Sequence, residues 1–145
     1  MSDIDKRLFA YGSLMKGFFN YEKVLKNKVI SCAIGKVRGL LYHQTHKGYP
    51  AMVPGDGLVS GEFLELENFD EQISLCDEIE EYFGPSHPDN YYERRLSEIE
   101  LENGEKLLAW VYWYIRNDLN SAENPVIRVT SGNWREYMNK NSKQS

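Results

Sequence analysis

The sequence predicts an α+β domain whose strands suit a small closed or half-closed barrel. Three features predict it. Several β-type segments carry an internal glycine where a sheet can bend. Two short segments have helical periodicity. No repeat, low-complexity tract or Pro/Gly-rich linker divides the 145 residues, a length that suits one core burying roughly 70% of the unfolded chain's surface.

In chain order, Arg7–Tyr11 (RLFAY) predicts a first strand that stops at Gly12-Ser13. Phe18, Phe19, Tyr21, Val24 and Leu25 then supply the apolar side of a short helix. Ala33–Gln44 and Leu58–Leu66 predict two further strands, with Gly48–Gly57 as a turn-rich connection between them. Phe69–Phe83 is the best helix candidate, opened by Asn68 or Asp70 and closed by Gly84-Pro85, with Ser86–Asn90 as the loop that follows. Tyr91–Leu101 and Lys106–Ile115 predict an antiparallel pair joined at Asn103-Gly104. A short amphipathic piece, Trp134–Met138, leads into a polar tail, Asn139–Ser145, expected to fray. The whole chain, 1–145, is expected to be a single domain with its core at about residues 7–138.

A hydrophobic fraction of 41% with 27% charged residues is a globular balance. The net charge is -5 and the basic residues are scattered, so the electrostatic footprint of a nucleic-acid binder is missing. No apolar run is long enough for a membrane span, and the polar start Met1-Ser2-Asp3-Ile4-Asp5-Lys6 is unlike a signal peptide. A cytoplasmic protein with no membrane partner is expected. Cys32 and Cys76, the two cysteines, have no CxxC spacing and are expected as buried free thiols. His43 and His46 lack a third ligand type at useful spacing, so no metal site is assigned.

Within the acidic run Asp77-Glu78-Ile79-Glu80-Glu81, Glu78 and Glu81 fit a solvated helix face. Glu80 differs, because Phe69, Ile73, Cys76 and Glu80 recur at helical spacing on one stripe, with Ile79 and Phe83 beside it. A carboxylate aimed at a core must be paired or must hold a proton at unusually high pH. The first alternative predicts an ion pair with Arg94, Arg95 or Arg38; the second, a general acid/base. A second candidate is Tyr11-Gly12-Ser13-Leu14, where a glycine directly after a strand turns successive N–H groups toward whatever sits above the strand end. Such a loop can hold a carboxylate or an oxyanion. Ser13 has no GxSxG context and no evident activating His, which argues against a nucleophile.

Together these pieces resemble the γ-glutamylcyclotransferase superfamily, in its AIG2-like and γ-glutamylamine cyclotransferase branch. The resemblance rests on the ordered series Phe9-Ala10-Tyr11-Gly12-Ser13-Leu14, Gly48-Tyr49-Pro50-Ala51-Met52, Val59-Ser60-Gly61-Glu62-Phe63, Cys76-Asp77-Glu78-Ile79-Glu80, Tyr92-Glu93-Arg94-Arg95 and Ala109-Trp110-Val111-Tyr112. Two departures stand out. Cys76 replaces a common Leu, and Tyr82–Tyr91 is longer than in the smallest members, which leaves the shape of the leaving-group pocket open.

The resemblance implies a small mixed β-barrel with flanking short helices and a metal-free enzyme needing no cofactor. It implies release of 5-oxoproline when the α-amine of a γ-glutamyl amide attacks its own γ-carbonyl. Glu80 is the implied base and then acid. Backbone N–H groups of Gly12, Ser13 and Leu14 would bind carboxylate or oxyanion, with Tyr11 and Tyr92 as pocket walls or core. The partner expected is a small γ-glutamyl substrate; a monomer is expected because no long exposed apolar stripe is evident. A non-catalytic small-molecule-binding or interaction protein of the same fold is the alternative.

Overall fold

The chain is described by a computed structural model over residues 6–142. Arg7–Ala10 forms β1, and Leu8, Phe9 and Ala10 are all buried, as an apolar run covered on both faces should be. It runs antiparallel to β3 (Tyr49–Leu66), with Phe9 opposite Phe63, and parallel to β5 (Lys106–Tyr114), with Leu8 opposite Trp110. The turn at Asn103-Gly104, where Gly104 takes φ 91°, returns β4 (Tyr92–Leu101) antiparallel against β5. At Gly35–Lys36, β4 meets β2 (Val29–Gln44), which pairs with β3 along most of its length. The order β3-β1-β5-β4-β2 therefore closes on itself as a mixed barrel, with β6 (Val126–Arg128) added to the Tyr42–Gln44 end of β2. Gly61 is required where β3 passes β1, because a Cβ there would run into the Ala10 carbonyl oxygen.

The turn expected over Gly48–Gly57 is strand instead: β3 starts at Tyr49, and the reversal is confined to Thr45–Gly48. Proline and glycine signals misled there for a physical reason. Pro50 lies opposite His43, and its carbonyl accepts the Tyr92 hydroxyl at 2.6 Å, a side-chain tie unseen by turn rules. The register shift between Arg38 and Leu40 is the bend that glycine in β2 predicted. Three-residue β6 carried too little pattern to be read in advance.

Helix α1 (Phe69–Ile79) buries Phe69, Gln72, Ile73 and Cys76. It ends four residues before the expected Phe83, which is 57% exposed rather than beside the apolar stripe. Asn68 precedes it in the left-handed region, φ 49°, and makes no side-chain cap. The expected helix after Phe18 is one wide turn, Tyr21–Leu25, in which Lys26 N–H reaches the Tyr21 carbonyl at 2.9 Å. Helix α2 (Trp134–Ser142) is capped by the Asn133 side chain, which accepts the Glu136 N–H at 2.9 Å. The polar stretch expected to fray is helical through Ser142; Lys143–Ser145 lie outside the described residues. Cys76 is buried as expected, but Cys32 is exposed, on the first stretch of β2, where no residue before Gly35 is buried. No helix among the described residues is long and apolar enough to cross a membrane.

Candidate active site

The Tyr11–Leu14 segment leaves the end of β1 as a tight loop. Gly12 C=O accepts the Met15 N–H at 2.9 Å, and the Ser13 carbonyl accepts Tyr21 N–H at 3.1 Å. These two carbonyls are thus spent internally, while no protein acceptor meets the N–H groups of Gly12, Ser13 or Leu14 among the described residues. Glycine is needed at position 12 because a Cβ would lie 2.6 Å from Pro50 Cγ. Tyr11 is buried and donates its hydroxyl to the Tyr112 carbonyl at 2.6 Å, fixing the loop's entry to β5. Ser13 is also buried, and its Oγ accepts the Asn20 amide at 2.6 Å. Among the described residues no histidine lines the cavity beside it, which leaves a serine-nucleophile reading unsupported.

Glu80 sits one residue beyond α1, its N–H still bonded to the Cys76 carbonyl at 2.9 Å. Helical spacing therefore holds long enough to give it the direction of Cys76. Glu81 then turns left-handed at φ 53°, with Glu81 N–H on Glu78 C=O and Tyr82 N–H on Asp77 C=O at 3.2 and 2.9 Å. This is a Schellman closure with glutamate where glycine is favoured.

Burial, followed by the charges of Asp77 and Glu81, raises the Glu80 carboxyl from its ordinary 4.5 to about 8. One side of Glu80 remains open to the cavity, so it is enclosed without being sealed. The ion-pair alternative does not hold among the described residues. Arg94 is clamped by both Asp77 oxygens at 2.9 and 3.1 Å, Arg95 is held by Glu93 at 2.6 Å, and Arg38 makes no salt bridge. Asp77 also accepts the Tyr112 hydroxyl at 2.7 Å. The acid one turn before Glu80 is thereby fixed by three donors.

Both sequence-derived pieces line one cavity of about 380 Å³, the loop on one wall and Glu78–Glu81 on another. Among the described residues, no Lys, Arg or His lines it. Tyr11 is a wall, but Tyr92 is not. Its ring packs edge-on against Tyr114, and its hydroxyl supports Pro50 from behind while accepting Gln44 at 3.0 Å. Sequence reasoning assigned no site role to Asn20, Tyr49 or Glu81, all three of which line the cavity. Tyr49 and Pro50 stood in a motif already quoted above, whereas Asn20 carried no signal, since only the fold places it over Ser13. Tyr112 on β5 lines the cavity, whereas among the described residues none of Ser86–Asn90 does. No three His, Cys, Asp or Glu residues are grouped for a metal among those described. His43 instead accepts the Trp134 indole N–H at 3.2 Å.

The sequence pattern of the family described as "Gamma-glutamyl cyclotransferase, AIG2-like" matches residues 8–136. The chain is 32% identical over 130 residues to a Niallia circulans protein named gamma-L-glutamyl-butirosin B gamma-glutamyl cyclotransferase, covering 90% of this chain and 76% of that one. Solved structures share the fold, among them two from Bacillus subtilis and Pyrococcus horikoshii. YkqA from Bacillus subtilis superposes with a TM-score of 0.66 at 23% identity, over 97% of this chain, which spans 43% of YkqA. PH0828 from Pyrococcus horikoshii gives 0.61 at 22% identity, over 94% of this chain and 96% of that one.

Proposed function

The chain belongs to the AIG2-like γ-glutamyl cyclotransferase family, and from that premise we propose that it converts a γ-glutamyl amide into 5-oxoproline and a free amine with Glu80 as the single acid/base. Cyclotransferase activity in general is what the family and its named relative support. The residue roles rest on one observation: an enclosed carboxyl raised to about 8 shares a cavity with three unpartnered backbone donors.

The chemistry follows from what ring closure needs. Ionised Glu80 takes a proton from the substrate's α-ammonium, freeing its nitrogen lone pair. That nitrogen bonds to the γ-carbonyl carbon, and the carbonyl π electrons move to oxygen. The resulting oxyanion, or the substrate's α-carboxylate, is held by the Gly12–Leu14 N–H groups, whose positions are fixed before substrate arrives. Protonated Glu80 then gives its proton to the departing nitrogen as the oxyanion re-forms the carbonyl and the old amide C–N bond breaks, and the regenerated carboxylate takes the second proton from the ring nitrogen. Glu80 passes that second proton on to the released amine and is left ionised as it began, so two protons move from the α-nitrogen to the leaving amine and no net acid is consumed. A carboxyl near 8 suits both halves, being about one-tenth ionised at neutral pH yet acidic enough to release a proton to an amine. Holding the flexible glutamyl chain folded contributes by orientation.

The test is incubation with γ-glutamyl dipeptides, γ-glutamyl-ε-lysine and glutathione, measuring 5-oxoproline and free amine. Equimolar release from at least one amide is expected. No 5-oxoproline from any γ-glutamyl amide would overturn the reading.

A further inference from the structure

Glu62 is a buried acid, 8% exposed, for which the chemistry above has no use. It lies on β3 opposite Ala10, the last residue before the loop. Its Oε1 accepts the Lys16 N–H at 2.8 Å, and its Oε2 accepts Arg135 Nη2 at 3.2 Å. The same Nη2 also donates to the Lys16 carbonyl at 2.7 Å. One residue of the loop's exit is therefore held at both backbone groups, by a buried carboxylate and by a guanidinium from α2. Next to it, Phe18 is held between Trp134 at 4.9 Å, itself buried, and the Arg135 guanidinium at 5.0 Å from its ring. The gripped stretch, Lys16–Phe18, joins the two segments that line the cavity, Tyr11–Leu14 and Phe19–Asn20. Neither Glu62 nor Arg135 lines the cavity.

We propose that Arg135 and Glu62 are positioning residues: they brace the exit of the Gly12–Leu14 donor loop from outside the site, so that α2 sets the donors' position relative to Glu80. The reasoning is geometric. The loop's entry is fixed by Tyr11 on β5, and its middle by Asn20 on Ser13, but Asn20 itself follows the segment that Arg135 holds. Charge-assisted bonds to Lys16 are the stiffest link at that end. Their loss shifts donors that must meet a substrate oxygen within a few tenths of an ångström.

The claim about the site rests on the proposed function; the brace itself does not, so the test has two readouts. In Arg135→Ala, whose arginine side chain is 39% exposed and whose removal leaves Trp134 in place, amide hydrogen exchange is expected to accelerate across Met15–Phe18, where Met15, Lys16 and Phe18 are the hydrogen-bonded amides, while β4 and β5 keep wild-type protection. Unchanged exchange in that segment overturns the brace even if the protein proves inactive. In the cyclotransferase assay, kcat/KM is expected to fall about tenfold or more in Arg135→Ala and in Glu62→Gln, with little further loss in the double variant. The pH at which activity rises is expected to stay at the wild-type value, because Glu80 is untouched. Full activity in both folded variants, or simple multiplication of their losses, overturns the positioning role. Failure of the wild type to release 5-oxoproline counts against the function alone.

Discussion

Replacing Glu80 by Gln should make the protein more stable, and increasingly so as pH rises. In the unfolded chain a glutamyl carboxyl ionises near its ordinary 4.5, whereas in the fold it keeps its proton to about 8. Between those values the native state binds a proton that the unfolded state has lost, so stability falls with rising pH. The contribution is fully present below 4.5 and exhausted once pH passes about 8. At about 1.36 kcal/mol per pH unit, the interval amounts to about 5 kcal/mol. That figure is a ceiling, since the cavity admits water to one side of the carboxylate. Glutamine cannot ionise and keeps the neutral shape. Denaturant unfolding of wild type and Glu80→Gln at pH 5, 7 and 9 should show a difference below about 1 kcal/mol at pH 5 that grows to several kcal/mol at pH 9. Parallel stability curves across that range would refute the raised carboxyl, whatever the activity does.

Other consequences are open to measurement. Asp77→Asn removes the stronger of the two charges opposing ionisation of Glu80, so the acid limb of kcat/KM should move to lower pH; a limb unmoved would sever Asp77 from the tuning. Gly12→Ala places a methyl against Pro50 and should lose about 1–3 kcal/mol of stability together with at least tenfold in kcat/KM. Gly104→Ala, strained by φ 91° but far from the cavity, should lose stability with kcat/KM intact. A thiol reagent should label only Cys32 in the native protein and both cysteines in denaturant, because Cys76 is buried with its thiol pushed up by burial and by Glu80. Native labelling of both would contradict the packing of α1.

How much of this could be read in advance follows from which signals are local. The β4–β5 hairpin and α1 were legible because periodicity and turn chemistry act over a few residues. Glu80 was legible for the same reason, its direction being set by Cys76 one turn earlier. The end of α1 was not, because the left-handed residue that stops it is Glu81, where no glycine advertises the turn. The continuation of β3 through Pro50, Pro54 and Gly55 was hidden by residues that ordinarily mark loops. They are tolerated because the strand bends there and Tyr92 and Gln44 serve the Pro50 carbonyl. The same long-range tie decides Tyr92 between the two readings, pocket wall or core, in favour of core. Asn20 and Arg135 were invisible, and Glu62 stood in the Val59–Phe63 motif without a role, since their partners lie 7 to 119 positions away.

The central claim is that one carboxyl, Glu80, performs both proton transfers of an intramolecular cyclisation. The most direct measurement is single-turnover release of 5-oxoproline by wild type and Glu80→Gln from the best amide substrate, with folding of each verified on the same sample. Release by the wild type and loss of at least about a hundredfold in the variant is the result predicted. A folded Glu80→Gln that turns over at the wild-type rate would contradict it and move the proton transfers to another group.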